Sequence, residues 1–299
     1  MTVMLHCLVS DVADAVRAAL PSGRIAANDE GDAALVEALT ASGLLDEPGL
    51  MALLLRRADE ERIGTAARAR SGRREARVLQ GLVSHDYGAV AAAAMALILA
   101  RGRRRDRFGQ GLIGFDDLPE ASAEHFVYAV AAGLRRELAA ARGAAGADVE
   151  LTQALDSVFE RHDAERSIEF LTAALVHFLD EGGGLSDDLV LAAAHEGEVG
   201  FVAEVLARRA GIPIDSATDE LLCGEAKRLM ALLRVAGASR ELSAGLLGGI
   251  GDLLGIAEPG EAIALFDRMS EDDVGAARSW LVTAPVYREA LERLGDRRG

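Results

Sequence analysis

Short segments whose apolar residues fall three and four apart, each closed by a glycine or a proline, recur along the whole chain. That spacing gathers apolar side chains on one stripe of an α-helix, and the stops keep each helix short. In DAALVEALTASG, Leu35, Val36 and Leu39 share a face and Gly43 closes the segment. EPGLMALLLRRA puts Pro48 near a first helical turn, where its missing N–H is not needed. EERIGTAARARSG, RREARVLQGLVSH and DYGAVAAAAMALILARG read as further helices, the last capped by Asp86 and ended at Gly102. Strand-like alternation is almost absent, and proline occurs six times in 299 residues. Strong helix formers (Ala, Leu, Arg, Glu) dominate, so the expected fold is all-α.

In the second half the segments pair. VELTQALDSVFERH goes with ERSIEFLTAALVHFLDEGGG, and two longer stretches follow over residues 185–211 and 212–237. LARRAGIP stops at Gly211 and LLRVAGAS at Gly237, an offset of 26 residues. Ser10 and Ser239 read as N-caps, Ser270 with Asp273 as a capping-box-like start, and Pro285 as the opening of a last helix. Helix pairs stacked in order are the mark of an α-solenoid. The expectation is a HEAT-like helical repeat array in two lobes. Residues 1–142 form an N-terminal lobe, 143–148 (GAAGAD) a linker, and 149–299 a C-terminal helical-repeat lobe. A compact helical bundle is the alternative.

Charge narrows the function. The net charge of −16 opposes general nucleic-acid binding. Arginine fills 31 of the 32 basic positions, Lys227 being the exception, a bias that a GC-rich coding sequence accounts for. Its distribution is uneven. Residues 56–107 hold 13 arginines against six acids, a local net of +7, which leaves −23 for the rest. Such a segment either contacts an acidic partner or matches the chain's own acids. At its end lies RGRRRDRFGQGLIG, residues 101–114, where Arg101, Arg103, Arg104, Arg105 and Arg107 are the candidates for binding a protein partner or a small nucleotide-like anion. Gly109, Gly111 and Gly114 have the G-x-G-x-x-G spacing. A dinucleotide fingerprint needs a strand before it and a helix at once after it. Here an alanine-rich helix precedes and the next helix begins near Pro119, so the segment reads as an inter-helix loop.

The chemistry-bearing residues form no catalytic pattern. Cys7 and Cys223 give neither a disulfide framework nor a zinc pattern, which fits a reducing compartment, and Cys223 is expected as a small buried hydrophobe. His6, His85, His125, His162, His177 and His195 include no pair four apart and no H-E-x-x-H. No G-x-S-x-G occurs. FDDL, LSDDL and SEDDV each precede a helix, where acids complement the helix dipole. Trp280 is expected in the core. The start lacks a basic region typical of a signal peptide. GAVAAAAMALILA, at 13 residues, is short of the roughly 20 that span a bilayer. A cytoplasmic, non-enzymatic interaction or regulatory protein without cofactor or metal is expected.

Three segments carry a resemblance. They are RRRDRFGQGLIGFDDLPEASAEHFVYAVAAGLRRELA (103–139), residues 189–241, and ALFDRMSEDDVGAARSWLVTAPVYREALERLG (264–295). A run of arginines, then Asp-Arg-Phe, then Asp-Leu-Pro and a long helix, with Trp280 ahead of PVYREAL, resembles the bacterial family catalogued as domain of unknown function 2336. The resemblance runs from about residue 30 to the end. It implies a HEAT-like helical architecture and no enzymatic activity. It departs in EHFVYAVAAGLRRE, which is poorer in aromatics than the resemblance implies.

Overall fold

The computed structural model describes residues 2–21, 29–70, 72 and 77–295. Among the described residues all regular structure is helical, apart from one isolated bridge between Arg105 and Gly111. The chain runs α1 (Thr2–Ala19), α2 (Asp29–Ala41), α3 (Pro48–Arg70), α4 (Val78–Leu82), α5 (Gly88–Arg103), α6 (Glu120–Arg142), α7 (Ala144–Phe159) and α8 (Ile168–Glu181). It continues with α9 (Asp187–His195), α10 (Val199–Ala210), α11 (Ile214–Leu222), α12 (Ala226–Val235), α13 (Arg240–Leu246), α14 (Pro259–Arg268), α15 (Glu271–Leu281) and α16 (Pro285–Arg293). No described helix is long and apolar enough to cross a membrane.

Many expected stops are where the helices end. Gly211 and Gly237 take positive φ (65° and 64°) after α10 and α12, a backbone only glycine adopts cheaply. Ser186, Ser239 and Ser270 accept hydrogen bonds from the backbone N–H of Leu189, Leu242 and Asp273. Asp273 returns the bond to the Ser270 N–H, closing the box. Two local expectations change. Ser10 lies inside α1, because helix formers on both sides carry the helix through it. The segments read as separate at 48–58 and 60–72 are one helix, α3, since no glycine or proline stands between Ala58 and Arg62. Gly23, and Arg73, Arg74 and Glu75 of the basic segment, lie outside the described residues.

The contacts divide the chain into two units, and the division is not at 143–148. One unit is Met1–Ala58 with Leu99–Leu171, the other Asp59–Ile98 with Thr172–Gly299. Residues 144–148 are the first turns of α7, and the break from α6 is Gly143 alone, at φ 77°. The physical reason is a shared core: Phe126, Val130, Leu134 and Leu138 of α6 are buried in one cluster with Leu151, Ala154, Leu155 and Val158 of α7. An alanine- and glycine-rich stretch looks like a linker in sequence, yet alanine is also the best helix former.

In the first unit, α1 supplies Leu8, Val9, Val12 and Val16 to that core, and Leu118 just before α6 joins it. In the second, α10 packs against α9, α11 and α12, and α12 against α14 and α15. Phe201, Val202 and Leu206 of α10 and Leu229, Leu232 and Leu233 of α12 are almost wholly excluded from solvent.

Candidate functional site

The arginine-rich loop folds into a small hairpin. The Leu112 N–H donates to the Arg104 carbonyl (2.7 Å) and the Asp106 N–H to the Gln110 carbonyl (3.0 Å). The Asp106 carboxylate accepts from the N–H groups of Phe108 and Gln110, both at 2.8 Å, which fixes the turn between them. Gly109 allows that turn with φ 81°. The Arg105 guanidinium donates to the Gly109 carbonyl (2.9 Å) and so ties the strand-like arm to the tip. Phe108 stands at the tip, 74% exposed, with the Arg107 guanidinium 4.7 Å from its ring centroid.

The five candidate arginines therefore have different places. Arg103 and Arg107 are exposed, Arg105 is exposed and bonded to the hairpin, and Arg101 is half-buried. Arg104 turns inward. Its Nε and Nη2 donate to Asp117 (3.0 and 3.1 Å), whose side chain is fully excluded from solvent, and Nη2 also reaches the Arg166 carbonyl. Asp117 accepts further from the N–H groups of Gly114 and Ile168. Gly114 is needed here because a Cβ would lie 2.9 Å from the Arg104 guanidinium. The three glycines with the nucleotide-loop spacing thus serve a turn, a bridge and the passage of an arginine.

Part of the wider basic segment matches acids outside it: Arg57 pairs with Glu169 (2.7 Å) and Arg70 grips Asp252 with both Nη atoms. A local net charge read from sequence therefore overstates the positive surface left for a partner.

Sequence reasoning missed a cavity in the first unit. It lies at the hairpin base, opens to solvent, and has a volume of about 480 Å³. Arg104, Arg161 and Arg166 line it, and so do Asp11, Asp116, Glu160 and Asp163. Phe115 and His162 meet edge to face in its wall, centroids 5.1 Å apart, and the His162 Nε2 faces the Leu118 carbonyl at 2.9 Å, so that nitrogen carries the proton and donates. Asp11 is exposed, yet partial desolvation of its carboxyl pushes it above its ordinary value, against the pull of Arg161. The acids around 115–118 read in sequence as helix caps; the arginine 13 residues before Asp117 was the one available sign of a deeper role.

The other flagged residues sit apart from this site. Cys7 and Cys223 are free and half-buried. Cys223 follows α11 rather than lying within it, donates to the Glu220 carbonyl, and has its thiol pushed up by burial. Trp280 is half-buried under the Arg288 guanidinium, 6.0 Å from its ring, and not in the core as expected; Leu281 is the residue its helix buries. No group of three metal-ligating side chains occurs among the described residues.

An all-helical protein with an arginine hairpin over a charged cavity is the class that the fold and site define. Residues 39–278 match the family model described as "Uncharacterised protein conserved in bacteria (DUF2336)", and the chain belongs to that family. The match ends before Trp280 and the PVYREAL ending. No curated protein and no solved structure matches the chain.

Proposed function

We propose that this is a non-enzymatic docking protein built as a HEAT-like helical repeat, and that the 104–112 hairpin is its contact with an acidic protein partner. Successive helices closed by Gly211 and Gly237 support the repeat reading. The observation that carries the docking reading is Phe108: a large apolar ring, 74% exposed, on a turn held by its own backbone and by Asp106. Aromatic and arginine side chains are the commonest anchors of protein interfaces, and a turn already fixed loses little entropy on binding. Burying the ring contributes about 1.5–3 kcal/mol. Arg105 and Arg107 at the tip, and the exposed Arg103 at the hairpin base, favour a partner surface with acidic groups.

The test uses affinity capture from the native cell extract with a triple variant, Arg103→Glu, Arg107→Glu and Phe108→Ala. Arg104 is left alone, because its replacement would break the interior pair with Asp117. The expected result is an unchanged melting temperature and loss of a partner that the unaltered chain retains. Retention of the same partner by the folded variant defeats the reading.

A further inference from the structure

The cavity under the hairpin holds charges of both signs that the fold does not pair. Arg104 is engaged by Asp117, the Arg166 Nε by Asp163 (2.9 Å), and the Asp116 carboxylate accepts from the Asp163 N–H (3.0 Å). Asp11, Glu160 and Arg161 differ. All three are exposed, and among the described residues none of their side chains makes a hydrogen bond or closes an ion pair. Asp11 comes from α1 and Arg161 from just beyond α7, both in the first unit. They lie near enough for Arg161 to be the strongest charge acting on Asp11, yet they do not meet.

This arrangement selects against simple ions. A lone anion entering the cavity faces three arginines but also four carboxylates, and a lone cation faces the reverse. A molecule carrying both charges a few bonds apart meets the open Arg161 with one end and an open carboxylate, Asp11 or Glu160, with the other. The volume of about 480 Å³ is of the size that small-molecule sites have. Phe115, edge to face with the His162 imidazole, adds an aromatic wall. We infer that the cavity binds a small zwitterion of the α-amino-acid class, its carboxylate on Arg161 and its ammonium on Asp11. This goes beyond the docking reading and does not depend on it.

The test is calorimetric titration and thermal denaturation of the full chain with the common L-amino acids, one at a time. Inorganic phosphate, which carries only negative charge, and putrescine, which carries only positive charge, serve as the single-sign probes. At least one amino acid is expected to raise the melting temperature saturably, while phosphate and putrescine do not. Arg161→Gln and Asp11→Asn are each expected to weaken that binding about tenfold or more, since each removes a charged hydrogen-bond partner. Both variants are expected to keep the helical signal and the ligand-free melting temperature. The inference is overturned if no amino acid binds, if either single-sign probe binds as tightly, or if the folded variants bind like the unaltered chain. Phe108→Ala, which disables the docking tip, leaves amino-acid binding unchanged, so failure of one reading is separable from failure of the other.

Discussion

Arg104 meets Asp117 through two parallel hydrogen bonds, 3.0 and 3.1 Å, and joins the end of α5 to the turn that starts α6. A two-pronged pair buried on its carboxylate side is an interior joint rather than a surface contact. The same carboxylate ties down the Gly114 and Ile168 N–H groups, so one side chain organises three pieces of backbone.

Asp117→Ala is therefore expected to destabilise the protein by about 3–5 kcal/mol, because it strands a guanidinium and two N–H donors away from solvent. Equilibrium denaturation in urea measures this. A loss below about 1 kcal/mol would show that water reaches and satisfies those groups.

Gly197 and Gly211 both have positive φ, 75° and 65°, but different surroundings. A Cβ on Gly197 would lie 2.5 Å from the Gly64 Cα, whereas nothing lies near Gly211. Gly211→Ala is expected to cost about 1–2 kcal/mol, the left-handed backbone penalty alone. Gly197→Ala adds overpacking of about 1–3 kcal/mol, and the backbone it meets cannot rotate aside. Thermal denaturation of the two variants gives the order, and equal losses would refute the close approach.

Partial burial alone would raise the Asp187 carboxyl, but hydrogen bonds from Arg209 (2.7 Å) and Ser239 (2.8 Å) outweigh it and hold the carboxyl below its ordinary value. A carboxylate depressed in the folded state stabilises fully above its unfolded pKa, and that stability is lost as pH falls through the folded pKa. Asp187→Asn is expected to lower stability at neutral pH and to flatten the acid limb of a stability–pH curve. A limb of unchanged slope would mean that the pair does not contribute.

Asp106 fixes the hairpin tip through the Phe108 and Gln110 N–H groups. Asp106→Ala is expected to speed amide hydrogen exchange at those two residues while leaving the global melting temperature within a degree or so, since the loop buries little apolar surface. If exchange there stays slow, the turn is held by something other than this carboxylate.

The helical class, and many of the stops and caps, were legible because they are local. Ser186, Ser239, Ser270, Gly211 and Gly237 act on backbone within a turn of themselves, so adjacent residues suffice to read them. The α6–α7 joint was misread for the same reason inverted: GAAGAD has the composition of a linker, and only the core shared by Phe126 and Leu155 makes it the start of a helix.

The candidate site divides along the same line. Sequence alone determined that a loop joins the alanine-rich helix to the one after Pro119, although the first of these helices runs on through Arg103, that the loop's glycines lack the strand before and helix after of a nucleotide fingerprint, and that arginine gathers there. Tertiary structure decided which arginine is which. Arg103 and Arg104 are neighbours in one run, yet one faces solvent and the other is held by Asp117. It also decided that Asp11 and Arg161, 150 residues apart, line one cavity. The physical reason is that helix formation depends on contacts within four residues, while the fate of a charge depends on whichever distant group the packing brings to it.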